Sequence, residues 1–261
     1  MRLKVEISID KLPSLYRAGF TTLIKEIMSK TDKVFKDNIQ TKYFSYAVKF
    51  LEFPETKKES LKIDNDFTIE DNVYYFKNKK VSLFISSSDE IAMNTIRTAL
   101  IYIDTFDMSK NNELMLQNKK ILLELGSPSI LKERAFDKSQ NIYEFETLSG
   151  IVLEDKEKRD KPVDIKDIVE FNRVLNIVST QTINKVENRE LKESLWFEPV
   201  EMVTAPEFNT FESFRSGSQR AYMKLTTNKG LFKLKGHHDD IKCLYLNGIG
   251  TRNTSGFGLI A

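Results

Sequence analysis

Residues 2–9 alternate: Leu3, Val5, Ile7 and Ile9 are separated by Lys4, Glu6 and Ser8, the period-two pattern of a half-buried strand. Past Pro13-Ser14 the spacing changes. Leu15, Phe20, Leu23, Ile24, Ile27 and Met28 mark the apolar side of a helix opened there. Residues 42–53, rich in aromatic and β-branched side chains, predict a second strand, and 73–77 and 80–86 predict two shorter ones. Asp89 then caps a second helix running to about Phe106, with Ile91, Ile96, Leu100 and Ile103 inside. The order β-α-β-β-α lacks one strand of a ferredoxin-like or RNA-recognition-like unit. The run Ile121–Leu125 either supplies that strand or begins a further unit.

Gly126-Ser127-Pro128 breaks the chain, and a charged loop spans 154–161 before Pro162. A long helix is expected from about Asp164 to Val186, strands at 195–204, 219–226 and 230–235, and a short helix from about His238 to Leu246. The second half is again mixed α and β. A length of 261 residues suits two domains of ordinary size, taken as 1–120 and 121–261.

Composition sharpens this picture at the end of the chain. Four of the ten glycines, Gly248, Gly250, Gly256 and Gly258, fall within eleven residues around Arg252. Glycine permits positive φ and close backbone approach. Successive bare amides in such a loop make an anion-binding concavity, to which an arginine fork adds phosphate recognition. The loop opens no βαβ unit and carries no Gly-Lys-Ser/Thr, so the dinucleotide and Walker readings are set aside. A glycine-rich hairpin closing the last strand is the plainer alternative.

Net charge is only +2, yet residues 213–261 hold eight basic side chains against Asp239 and Asp240, and residues 1–50 hold ten against five acids. Local basic regions of this kind favour a polyanion partner. One cysteine, Cys243, excludes an internal disulfide framework and reads as core. With two histidines, a Cys/His metal cluster is not expected, so no metal and no cofactor are assigned. No stretch approaches a membrane span, and a cytosolic location is expected.

The segment Lys229–Gly236, the short helix after it, then Gly248-Ile249-Gly250-Thr251-Arg252 and Gly256-Phe257-Gly258 resemble the CRISPR repeat-processing endoribonucleases, the precursor-crRNA-cleaving members of the repeat-associated mysterious protein (RAMP) superfamily. The N-terminal strand, Leu12–Arg17, Lys42–Tyr46 and Ser127-Pro128 resemble the same family, so the likeness spans most of the chain. It implies an α+β protein of two tandem ferredoxin-like domains, monomeric or homodimeric. Its partners would be CRISPR repeat RNA in the precursor crRNA and other subunits of an interference complex. It also implies metal-independent cleavage, in which the ribose 2′-OH attacks the adjacent phosphate and leaves a 2′,3′-cyclic phosphate and a 5′-OH.

That reaction needs a base for the 2′-OH, an acid for the leaving oxygen and a cation for the phosphorane charge. Many relatives place a histidine between the first helix and second strand. This chain has only His237 and His238, beside acids at a helix start where capping is the simpler role. Laid on the family pattern, Lys42 stabilises the transition state, Lys25 falls near a tyrosine position, and Lys36 falls close to the missing histidine. Tyr43 joins them as a catalytic candidate, with Tyr16 and Tyr46 as alternatives. Gly248, Gly250, Arg252, Gly256, Gly258, Lys233 and Lys235 are the RNA-binding candidates. The absent histidine also motivates a second expectation, a repeat-RNA-binding subunit that does not cut.

Overall fold

A computed structural model describes residues 1–32, 43–64, 67–109, 114–155 and 162–261. In chain order the elements are β1 (Arg2–Ser8), β2 (Lys11–Pro13), α1 (Arg17–Asp32), β3 (Ser45–Phe50), β4 (Glu55–Ile63), β5 (Phe67–Tyr75), β6 (Lys80–Ser86), α2 (Glu90–Ile101), β7 (Thr105–Asp107), β8 (Met115–Leu116), β9 (Lys119–Lys120), β10 (Leu122–Leu125), β11 (Ser129–Ile130), β12 (Ile142–Glu146), α3 (Ile168–Glu187), β13 (Trp196–Asn209), α4 (Glu212–Ser218), β14 (Met223–Lys235) and α5 (His238–Asn247).

The first sheet runs β3-β6-β1-β10-β7 with antiparallel neighbours throughout. Read in chain order, β1, α1, β3, β6, α2 and β10 form a ferredoxin-like split βαβ unit. The run at 121–125 therefore closes this unit. Between β3 and β6 the chain inserts the β4–β5 hairpin, which joins β2, β8 and β9 in a second sheet. The period-two face of β1 (Leu3, Val5, Ile7) is fully buried against α1 and α2 side chains such as Phe20, Ile24 and Ile96.

The second unit repeats the plan. Its sheet runs β12-β14-β13, and the C-terminal residues lie on the free edge of β12, where the amide of Ala261 donates to Glu146 O at 2.8 Å. Taking β12, α3, β13, β14, α5 and this tail in turn gives a second split βαβ. Phe171, Val174 and Leu175 of α3 and Ile241 and Leu244 of α5 pack on Tyr143, Phe145, Phe197, Phe232 and Leu234. The fold is thus two ferredoxin-like units in tandem, as the resemblance implies.

β13 is an edge strand, and α3 satisfies part of that edge. Asn172 Oδ1 accepts from Phe197 N at 2.7 Å while its Nδ2 donates to Phe197 O at 3.1 Å. One turn on, Asn176 does the same for the N–H and C=O of Leu195.

Several expected boundaries move. The first helix begins at Arg17 rather than at Ser14. The second ends at Ile101, because Thr105–Asp107 pairs with β10 instead. Asp89 does cap it, accepting from Ala92 N at 2.9 Å, but this turns Ile91 outward, 73% exposed. The strands expected at 219–226 and 230–235 are one strand, β14, continuous through Gly230.

Candidate functional site

The two units meet across the polar face of the first sheet. Arg2, Ser86 and Ser45 stand in register across β1, β6 and β3, and all three are buried. Small side chains here let the second unit approach closely. Ser86 Oγ donates to Leu246 O at 2.7 Å, and Arg2 Nη2 donates to Ile260 O at 2.5 Å with its guanidinium 4.2 Å from the Tyr245 ring centroid.

The glycine segment 248–258 seals this junction. Gly256 has φ +85°, and a Cβ there would stand 2.8 Å from the buried Tyr46 ring. Gly258 has φ +73°, and its Cβ would stand 2.1 Å from Ile249 O. The amides of this loop are largely committed within the fold. Gly248 N donates to Leu244 O (2.8 Å), Thr251 N to Val152 O (2.7 Å), Gly256 N to Asn253 O (3.1 Å) and Gly258 N to Gly150 O (3.0 Å). The run of bare amides expected from the sequence is therefore mostly a packed knot, in which glycine serves close approach.

Arg17, at the start of α1, anchors the knot. It is buried, its Nε donates to Gly256 O at 3.3 Å, and its guanidinium lies 4.7 Å from the Phe257 ring centroid. Its Nη2 meets Glu207 Oε2 at 2.8 Å, and Lys229 pairs with the other oxygen of that carboxylate. Burial opposes the charge of Arg17, but Tyr16, Glu207 and Tyr46 outweigh it and raise the pKa. Burial likewise opposes the Glu207 carboxylate, and Arg17 and Lys229 outweigh it and hold the group below its usual range. Of the alternative tyrosines, Tyr16 is buried and its phenol is pushed up to about 12 by that burial. Tyr46 is fully buried, its hydroxyl 2.8 Å from Arg17 O and 2.7 Å from Thr21 Oγ1. Both are core residues.

Two cavities open beside the knot. One, about 630 Å³, is lined by α1 (Thr21, Thr22, Lys25), the 209–213 turn, Arg252 and Ser255. The other, about 380 Å³, is lined by Tyr43, Glu154, Lys185 of α3, and residues 250–254. Arg252 lines both, so it stands at their common wall. The structure thus brings Lys25, Tyr43, Gly250 and Arg252 around one divided cleft. It adds Lys185, whose Nζ lies 5.9 Å from the Tyr43 ring centroid. Nothing in the spacing of α3 marks that lysine beyond its place in the last turn.

Gly248, Gly256 and Gly258 sit in the knot behind the cleft. Lys233 and Lys235 lie elsewhere, on the face of the second sheet away from α3 and α5, where Lys233 faces Glu144 and Glu198 across the strands. Lys36 and Lys42 lie outside the described residues.

Among the described residues one group has metal-ligand chemistry: His237, His238 and Asp239 have ligand atoms within 4.8 Å of one another. Its contacts serve other ends. His237 Nδ1 accepts from Asp239 N at 3.2 Å as the N-cap of α5, and Lys192 Nζ holds Asp239 at 2.5 Å. Cys243 is buried, and burial pushes its thiol up to about 12. No described helix is long and apolar enough to cross a membrane.

Fold and cleft together define a tandem ferredoxin-like protein whose two units enclose an arginine-divided, cation-flanked groove. Residues 131–261 match the family model described as CRISPR associated protein Cas6, C-terminal. The chain belongs to this CRISPR-associated Cas6 family. Solved structures with the same fold include an RAMP protein binding different RNA substrates (TM-score 0.70, 20% identity) and a CRISPR associated protein Cas6 (TM-score 0.69, 18% identity). A third is the product of a Cas6-related gene from Pyrococcus furiosus (TM-score 0.68, 16% identity). Each likeness covers 100% of this chain and 98% of the other. No curated protein sequence gives a significant match.

Proposed function

We propose that this protein binds CRISPR repeat RNA and cleaves the precursor crRNA without a metal ion, leaving 2′,3′-cyclic phosphate and 5′-OH ends. The observation that carries the reading is the divided cleft, in a member of the Cas6 family. Lys25, Lys185 and Arg252 bring three cations to a groove that also offers the Thr254 and Ser255 hydroxyls. This is the donor set for successive phosphates and ribose hydroxyls of a single strand.

In this reading the nucleophile is the RNA's own 2′-OH, so the protein needs only to hold it in line, move two protons and stabilise charge. Arg252 and Lys42 meet the developing phosphorane. Lys25 and Lys36 add positive charge, and one of these lysines accepts the 2′-OH proton. The Tyr43 phenol orients the ribose at the scissile step. Incubating the protein with repeat RNA in EDTA between pH 6 and 9 tests the proposal. Cleavage at one fixed position is expected. Tight binding with the RNA left intact would replace it with the non-cleaving binding subunit, and neither binding nor cleavage would remove it.

A further inference from the structure

The wall between the two cavities carries a contact that the proposed chemistry does not use. Arg252 Nε donates to Glu154 Oε2 at 2.8 Å and Arg252 Nη2 to Glu154 Oε1 at 2.9 Å. This is a bidentate fork on a carboxylate, the geometry the same guanidinium would offer to two phosphate oxygens. Both side chains remain partly open to the cleft, at 26% and 19% relative exposure. Arg252 reaches this position from a left-handed backbone, φ +61°, unusual for a residue with a side chain. Glu154 is fastened by the same short run of contacts: Thr251 Oγ1 donates to Val152 O at 3.0 Å and lies 3.4 Å from Glu154 Oε2. Sequence separation hides the pair, since its members stand 98 positions apart.

We propose that Glu154 is a resident anion: it occupies the Arg252 fork in the free protein and is displaced by a backbone phosphate of the entering RNA. The proposal rests on the RNA reading above. A lone phosphate must compete with a tethered carboxylate for one fork. A strand crossing the wall can also engage Lys25 in the larger cavity and Lys185 in the smaller, and so gains enough contacts to win. Glu154 therefore selects for a polyanion spanning both cavities and against free phosphate or mononucleotides.

The test compares wild type, Glu154→Gln and Glu212→Gln for affinity to fluorescein-labelled repeat RNA at fixed ionic strength. Glu212 lines the larger cavity without touching the fork, so its variant removes the same charge from the same cleft. Releasing a partly exposed charge-assisted fork is expected to tighten Glu154→Gln about tenfold, against about twofold or less for Glu212→Gln. Inorganic phosphate should also compete with RNA on Glu154→Gln at concentrations that leave wild type unaffected. Equal gains in the two variants would reduce Glu154 to a simple repulsive charge and overturn the proposal. Weaker binding by Glu154→Gln would make it a positioning residue for Arg252 and overturn it too. If Glu154→Gln does not fold, the Arg252 Nε–H resonance of wild type replaces it. A shift on saturation with RNA supports displacement, and an unmoved resonance contradicts it. Failure of wild type itself to bind RNA would overturn the RNA reading, and this proposal with it.

Discussion

Substituting Gly256 by Ala tests whether the C-terminal glycines serve packing between the units. An Ala must take φ +85°, a left-handed conformation costing about 1–2 kcal/mol for an L side chain. Its Cβ would also lie 2.8 Å from two carbons of the Tyr46 ring and 3.0 Å from its hydroxyl. That ring is held by Thr21 and the Arg17 carbonyl and is fully buried, so it has little room to yield. Overpacking of this kind costs about 1–3 kcal/mol. The sum, about 2–5 kcal/mol, lowers the melting temperature by about 4–20 °C for a chain of this size. Gly217→Ala is the control: nothing lies within 4 Å of its Cβ, and it sits in α4. Removing a helical glycine there should be neutral or stabilise by about 0.5–1 kcal/mol. Thermal melts followed by circular dichroism read both variants. If Gly256→Ala melts with the wild type, the packing role of the loop is wrong.

Three further outcomes follow from the geometry. Asn172→Ala strips the buried N–H and C=O of Phe197 of their side-chain partners; two such orphaned groups should cost about 2–6 kcal/mol in urea unfolding. Tyr16 has a folded pKa raised from 10.0 to about 12, so its contribution is complete below pH 10 and is lost as pH rises toward 12. That loss, about 3 kcal/mol, should be missing from the alkaline stability profile of Tyr16→Phe. Lys25→Ala and Arg252→Ala should each slow single-turnover RNA cleavage by about 10²–10³-fold, the scale of losing one charge-stabilising donor, with melting temperatures near wild type.

Periodicity revealed the first strand, both helices of the first unit and the long helix of the second, because each buries one regular apolar stripe. The β4–β5 hairpin stayed hidden beyond its last residues. β4 has charged or polar side chains at most positions and buries only Glu59, Leu61 and Ile63, so its hydrophobic signal is short. Residues 227–229, just before Gly230, read as a break between two strands, yet β14 runs straight through both. A Cβ on Gly230 would stand 1.9 Å from Glu201 O, beside the register shift between Pro199 and Glu201, so glycine here marks close strand approach. The site was legible only where its residues are local. The glycine cluster announced itself, and Lys25 came from the family pattern. The carboxylates that fix the cleft did not show. Glu154 and Glu207 find Arg252 and Arg17 only through the tertiary fold, and no local pattern marks a carboxylate as the partner of a distant arginine. For the same reason Arg252 read as a free phosphate ligand, whereas its fork is held by a carboxylate.

The most direct measurement is the intact mass of the upstream fragment after incubation of repeat RNA with the protein in EDTA. One fragment carrying a 2′,3′-cyclic phosphate is expected, its mass reduced by one water from the 3′-phosphate form. A fragment ending in a 3′-hydroxyl, or RNA of unchanged mass, would contradict the proposed cleavage.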